Sequence, residues 1–474
     1  MKEFIMSDKF RCVHLNYYPV GQGLFTSGKI CDKDTIRFSW IYDCGTTGQE
    51  NNIDKLTDLF FKDMNKKHVL DLLIVSHFDE DHYKGISNLV SKCEKIKTIV
   101  LPYLEIEERL LLFYFAFKKK YIKNEDKIKF FNFFINPNDF FSDKVEKIIL
   151  IRKSGNDEQI PEENKFSENE NDNDYIIKYE FEEKKENDNK NYFIKPDNKK
   201  VEILKKRTII SLKNFWEFIF YNDPSIEFYN NNDFKEKIKV EVKYYNNRIN
   251  EIISKSNEKN KIEIINNIIK KLKNIYDDKI KDIKKKKRSK IKNESSLFLY
   301  TGPSQNIYKN SNLNSKQKFG SLYTGDGNLK SDNNFKALSN YLSKYRMERI
   351  LNFQVMHHGA HGDWKEGLAS RLKPEFSVFS TNANRTLDPN TKFEKFEYLS
   401  GNKNHRHPNL EVWKDFSKVS KNVIVNEHSG LTIFIALLSN RIFHIYVGKN
   451  FEKKENKFIY HPSYCRHFHC FPNW

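Results

Sequence analysis

The feature that most narrows the fold is an apolar strand that runs straight into a cluster of ligand side chains. Leu70 to Ser76 (LDLLIVS) has the composition and length of a buried strand. The six residues after it, His77-Phe78-Asp79-Glu80-Asp81-His82, hold two imidazoles and three carboxylates. Such groups at the edge of a core are costly unless something binds them. The stretch from His82 to Cys93 then has the spacing of a short helix. A strand, a ligand loop and a helix in succession predict an α/β chain with its chemistry at the carboxyl ends of strands.

The pattern recurs. Val13 to Tyr17 reads as an early strand, followed by VGQG (Val20 to Gly23) and then RFSWIYDCG, in which the strand ends on Asp43. Later come SSLFLY (Ser295 to Tyr300), SLYTGDG (Ser321 to Gly327), LNFQVMHHG (Leu351 to Gly359) and FSVFSTN (Phe376 to Asn382), each an apolar run closing on small or polar residues. The two strand-rich stretches predict two halves of one sandwich sharing a single core, at residues 1–104 and 293–450. Between them, residues 105–292 are highly charged and poor in glycine and read as an insertion. Ile265, Ile268, Leu272, Ile275 and Ile283 are spaced as the apolar face of a helical arm in that insertion, while Asn156 to Lys190 reads as an exposed acidic tract. Residues 451–474 form a tail in which Cys465, His467, His469 and Cys470 are too crowded to satisfy one tetrahedral ion, so aromatic packing is the expected role.

In a tight loop, His77 and Asp79 can point one way and Asp81 and His82 another, toward two adjacent divalent ions, with Glu80 facing outward. Asp326 would add a bridging carboxylate and His357 one more imidazole, since both follow strands. His358 is expected to orient or pack. An aspartate-rich set leans toward harder ions, so manganese and magnesium compete with zinc.

Arranged as His77-Phe78-Asp79-Glu80-Asp81-His82, the segment resembles the HxHxDH signature of the metallo-β-lactamase superfamily, with Asp79 in place of the second histidine. The form SHxDxDH is similar to the hydrolase domain of ComEC-type DNA-uptake proteins. That likeness extends, in order, through VGQG, YDCG, NESSLFL (Asn293 to Leu299), YTGD (Tyr323 to Asp326), HHG and the HP-LEV run from His407 to Val412. It covers residues 12–104 and 293–447, and the membrane channel of those proteins has no counterpart. The resemblance implies an αββα metallo-β-lactamase sandwich interrupted by a largely helical, partly disordered insertion. It implies that Asp43 holds the metal loop by hydrogen bonds, that His407 binds phosphate or protonates a leaving oxygen beside the essential Asp81, and that the substrate is a DNA phosphodiester. VGQG would form a tight turn or present N–H groups to an anion. The chain departs from the pattern at Pro19, Leu24 and Ala360, and where a third histidine is usual it offers only Asn293, Ser295 and Ser296.

The net charge of +18 favours polyanionic partners. The acidic tract carries 13 acids against 5 lysines, a net of −8 that leaves +26 on the rest. Lys284, Lys285, Lys286, Lys287 and Arg288 form either a phosphate grip or a solvated helix end. Two other functions stay open: a small-molecule phosphodiesterase with the insertion as lid or dimer arm, and a silent binding module recruiting a protein partner. No apolar run approaches the roughly 18–20 residues needed to cross a bilayer, the start lacks a secretory core, and the six cysteines lack disulfide spacing; these point to the cytoplasm.

Overall fold

Alternation with period two decides which core each strand side chain enters. In the strand Thr35–Cys44, Phe38, Trp40 and Tyr42 face one apolar cluster and Ile41 the other. The strand Leu297–Pro303 sends Leu297 and Leu299 one way, Phe298 and Tyr300 the other. The computed structural model describes residues 10–154, 177–178, 201–223, 257–280, 296–305, 317–387, 394–398 and 407–460, apart from short breaks at 33–34, 49, 63, 65–67, 120–123, 205–207, 213–214, 439–440, 449–450 and 455–456.

Within these residues the chain is mixed α/β and builds two large mixed sheets. The nine-stranded sheet runs Arg441–Gly448, Leu431–Leu438, Phe10–Tyr17, Phe25–Asp32, Thr35–Cys44, Val69–Ile74, Lys95–Pro102, Val145–Ile151 and Val201–Leu204. Its strands pair antiparallel up to Thr35–Cys44 and parallel beyond it. The eight-stranded sheet runs Lys421–Val425, Phe376–Ser380, Ile350–Gln354, Gly320–Tyr323, Leu297–Pro303, Trp216–Asn222, Thr208–Leu212 and Ile177–Lys178, its first four strands parallel. Both sheets line a shared apolar cluster that includes Trp40, Tyr42, Leu72, Trp216 and Leu299. A second cluster joins the first sheet to helices at Glu50–Lys62, Ile86–Lys92, Ile106–Lys119 and Asn124–Ile135, and a third joins the second sheet to helices at Asp332–Met347 and Leu410–Ser417.

The expectation that residues 105–292 stand outside the sandwich is corrected. Val145–Ile151 pairs in parallel with Lys95–Pro102, and Trp216–Asn222 pairs with Leu297–Pro303, so the segment contributes strands to both sheets. The helix Glu258–Ile280 is no free arm either. Its Ile265, Ile268 and Leu272 are buried in the same cluster as Phe113 and Phe131, each contributing roughly 1.5–3 kcal/mol by leaving water. Most of the acidic tract, Ile283, the run Lys284 to Arg288, Asn293, Ser295 and the Cys-His tail lie outside the described residues. Among the described residues, no helix is long and apolar enough to cross a membrane.

Four of the parallel strands point their carboxyl ends at one place, where α/β sheets characteristically bind ligands. Asp43 lies at the end of Thr35–Cys44, His77 follows Val69–Ile74, Asp326 follows Gly320–Tyr323 and His357 follows Ile350–Gln354. The sheets are tied there by the Leu297 amide, which donates to the Ser76 carbonyl at 2.8 Å, and by the Tyr42 hydroxyl, which donates to the Leu297 carbonyl at 2.9 Å.

Candidate metal centre

The loop begins at Ser76, whose amide and hydroxyl both donate to Asp43 at 2.6 Å. Asp43 is fully buried at φ 58°, a left-handed conformation that strains a non-glycine residue and that its surroundings must hold in place. Its Oδ2 lies 2.7 Å from His82 Nδ1, which leaves His82 Nε2 aimed into the pocket. This is the carboxylate-to-imidazole support typical of metal ligands, and it matches the role expected of Asp43. The Asp81–His82 backbone is pressed against Gly45, where an added Cβ would meet the Asp81 carbonyl carbon and the His82 nitrogen at 2.3 Å.

Asp81, His82, Asp326 and His358 form a group that can hold a metal ion, with one donor atom from each lying within 4.8 Å of all the others. His82 Nε2 is 3.0 Å from Asp326 Oδ1, and His358 Nε2 is 3.1 Å from Asp81 Oδ2 and 3.6 Å from Asp326 Oδ1. Donors sharing one ion at about 2.1 Å stand roughly 3.0–3.4 Å apart, so these separations fit a common cation. His82 Nε2 and Asp326 Oδ1 face each other at 3.0 Å as a buried ion pair, with no other hydrogen-bond partner for either atom. His77 Nε2 is buried with no hydrogen-bond partner, 3.8 Å from Asp326 Oδ2. Its Nδ1 is held by the hydroxyls of Ser76 at 3.0 Å and Ser296 at 3.1 Å. Three buried polar atoms converging on one spot with so few partners are the signature a metal would relieve.

The charges agree. Burial lowers the His77 pKa to about 4, with His82 adding repulsion. Burial also opposes charge on His82, yet Asp326, Asp43 and Asp81 outweigh it and raise that imidazole well above its ordinary value. His357 is likewise raised, against burial, to about 9 by Asp326 and Asp363. Asp326 is held well below the carboxylate range because, against burial, His357, His82 and His358 surround it. The carboxylates thus demand positive charge, which a divalent ion provides while displacing imidazole protons.

Three expectations change. His358, expected to orient or pack, presents Nε2 to the four-residue group while its Nδ1 is fixed by the Ser380 carbonyl at 2.6 Å. His357, expected as the ligand, stands outside that group: Nδ1 meets Asp363 at 2.6 Å and Nε2 lies 3.5 Å from Asp326 Oδ2. Both histidines have positive φ (45° and 56°) in the turn Met356–Gly359, so the chain aims consecutive rings in ways that ordinary loop geometry does not anticipate. Asp79 also stands outside the group. It caps the helix Glu80–Tyr83, accepting from the Glu80 amide at 3.1 Å, while its charge reaches His77. Glu80 faces outward, as expected.

His407 is brought to the site, its ring centroid 5.4 Å from that of His357. VGQG forms a tight loop: the Leu24 amide donates to the Asp81 carbonyl at 3.0 Å, and the Ser380 hydroxyl donates to the Gly23 carbonyl at 2.5 Å. Sequence reasoning missed Ser76, Asp363 and Ser380 as supports. Ser296 positions His77 and accepts from the Asp326 amide at 3.1 Å. A cavity of about 680 Å³ is bordered by Trp364 and His361, by the lysines 330, 365, 414 and 418, and by Glu366, Glu411 and Asp415. No protein-family model and no curated protein sequence matches the chain.

Proposed function

We propose that the chain is a metal-dependent phosphodiester hydrolase with an αββα metallo-β-lactamase sandwich, acting on DNA. The observation that carries the reading is the buried convergence of His77 Nε2, which has no hydrogen-bond partner, with His82 Nε2 and Asp326 Oδ1, beside Asp81 and His358 at the carboxyl ends of strands. Asp326 turns Oδ1 toward His82 and His358 and Oδ2 toward His77, so it would hold metal together with these imidazoles and Asp81, while His357 lies 3.5 Å from Oδ2. Divalent zinc or manganese held by these residues would supply Lewis-acid chemistry, lowering the pKa of a water and offsetting charge at the attacked phosphorus.

The chain's own residues do the rest. Asp43, Ser76 and Ser296 fix the imidazoles so that little reorganisation accompanies binding. Asp363 and Asp326 favour a proton on His357, and His407, its ring centroid 5.4 Å away, would protonate a leaving oxygen. The net charge of +18 on the whole chain favours a polyanion over a small neutral substrate. The test is metal analysis of the purified protein together with cleavage of linear, circular and single-stranded DNA and of bis-p-nitrophenyl phosphate. DNA cleavage that chelation removes and divalent metal restores is the expected result. Turnover of the small diester alone would favour a small-molecule enzyme, and neither activity a silent module.

A further inference from the structure

The outer face of the first sheet carries a second group of soft donors, away from the shared core. Cys12 and Cys31 are directly opposite in the antiparallel register of Phe10–Tyr17 with Phe25–Asp32, and His14 lies two residues from Cys12 on the same face. Their neighbours Val13 and Leu15 point the other way, into the cluster between the sheets. Cys12 Sγ is 3.3 Å from His14 Nε2, and the donor atoms of Cys12, His14 and Cys31 all lie within 4.8 Å of one another. Sulfur and imidazole nitrogen bound to one tetrahedral zinc at about 2.3 and 2.0–2.1 Å stand roughly 3.5 Å apart, close to the separation seen.

The surroundings suit a dry, shielded ion. Both thiols are buried, Phe434 joins them in a small apolar cluster, and the His14 ring packs edge-on with that of Phe434 at 4.8 Å between centroids. No disulfide joins the four described cysteines. The other two, Cys44 and Cys93, lie in the cluster between the first sheet and its helices, where burial pushes both thiols up, that of Cys93 to about 12.

We propose that Cys12, His14 and Cys31 form a structural site for a thiophilic divalent ion, zinc above all, distinct from the hydrolytic centre. Two thiolates and an imidazole supply three ligands, and water or a further donor completes the fourth position. The ion pins the first strand to its neighbour in addition to their antiparallel pairing, and its binding releases the two thiol protons.

Cobalt(II) substitution of the full-length protein separates this site from the hydrolytic centre, whose donors include no sulfur. The expected result is a thiolate-to-cobalt charge-transfer band that persists in Asp326→Asn, falls in His14→Ala and is lost in Cys12→Ser/Cys31→Ser. If that double variant does not fold, alkylation of the unaltered protein decides: zinc should protect Cys12 and Cys31 from iodoacetamide, and chelation should expose them. Absence of the band, its survival undiminished in the double variant, or a Cys12–Cys31 disulfide in the native protein would each overturn the proposal.

Discussion

At the scale of single residues, Asp43 bears more than its position after a strand announces. One carboxylate accepts from the Ser76 amide and hydroxyl and meets His82 Nδ1, from a strained left-handed backbone. Asp43→Asn keeps the size and loses the charge, so metal affinity should fall about 10- to 100-fold, read by competition with a chromophoric chelator. Unchanged affinity would remove Asp43 from the supporting role. Asp81→Ala should abolish hydrolysis while the thermal transition persists, because the side chain is partly exposed and belongs to the donor group rather than the core; full turnover at full metal content would contradict this. The ligand segment was legible because polar density after an apolar strand is rare and expensive. The choice between His357 and His358 was not, since it rests on two positive φ angles that no periodicity encodes. Hence His358→Ala should reduce metal content more than His357→Ala, measured on both proteins after dialysis; the reverse order would make His357 the ligand.

At the scale of elements, the strand Val69–Ile74 was readable from the apolar run around it, as expected of a parallel strand buried on both faces, whereas Val145–Ile151 and Val201–Leu204 were not. Trp216–Asn222 is hidden in the sequence because it is embedded in a lysine- and asparagine-rich context. Yet every residue of it is buried, and its Glu217 makes a two-pronged ion pair with Arg346 at 2.7 and 3.1 Å, both side chains at most 1% exposed. Glu217→Leu strands a buried guanidinium and should cost roughly 3–5 kcal/mol in denaturant unfolding, whereas adding Arg346→Met should recover much of it. A loss below about 1 kcal/mol would place this strand outside the cooperative core. Replacing Lys330, Lys414 and Lys418 by Gln should weaken DNA binding and lower the logarithmic salt slope by about one unit for each phosphate no longer neutralised, leaving turnover of bis-p-nitrophenyl phosphate intact. An unchanged slope would move the nucleic-acid path elsewhere on the molecule.

At the scale of the whole molecule, two sheets contributed by distant parts of the chain meet at one edge, and hydrogen bonds such as Tyr42 to Leu297 and Asn352 to Tyr17 span hundreds of residues to hold that edge closed. The pairing of the two strand-rich halves could be inferred from their matched strand ends. The contribution of the middle third could not, because composition there reports the solvated surface rather than the few buried strands it carries. The central claim is that this shared edge is a metal centre, and metal stoichiometry compared between the unaltered protein and Asp326→Asn tests it most directly. Divalent metal is expected in the first, at least one equivalent lost in the second, and retained secondary structure by circular dichroism in both. Equal metal content in the two folded proteins would contradict it.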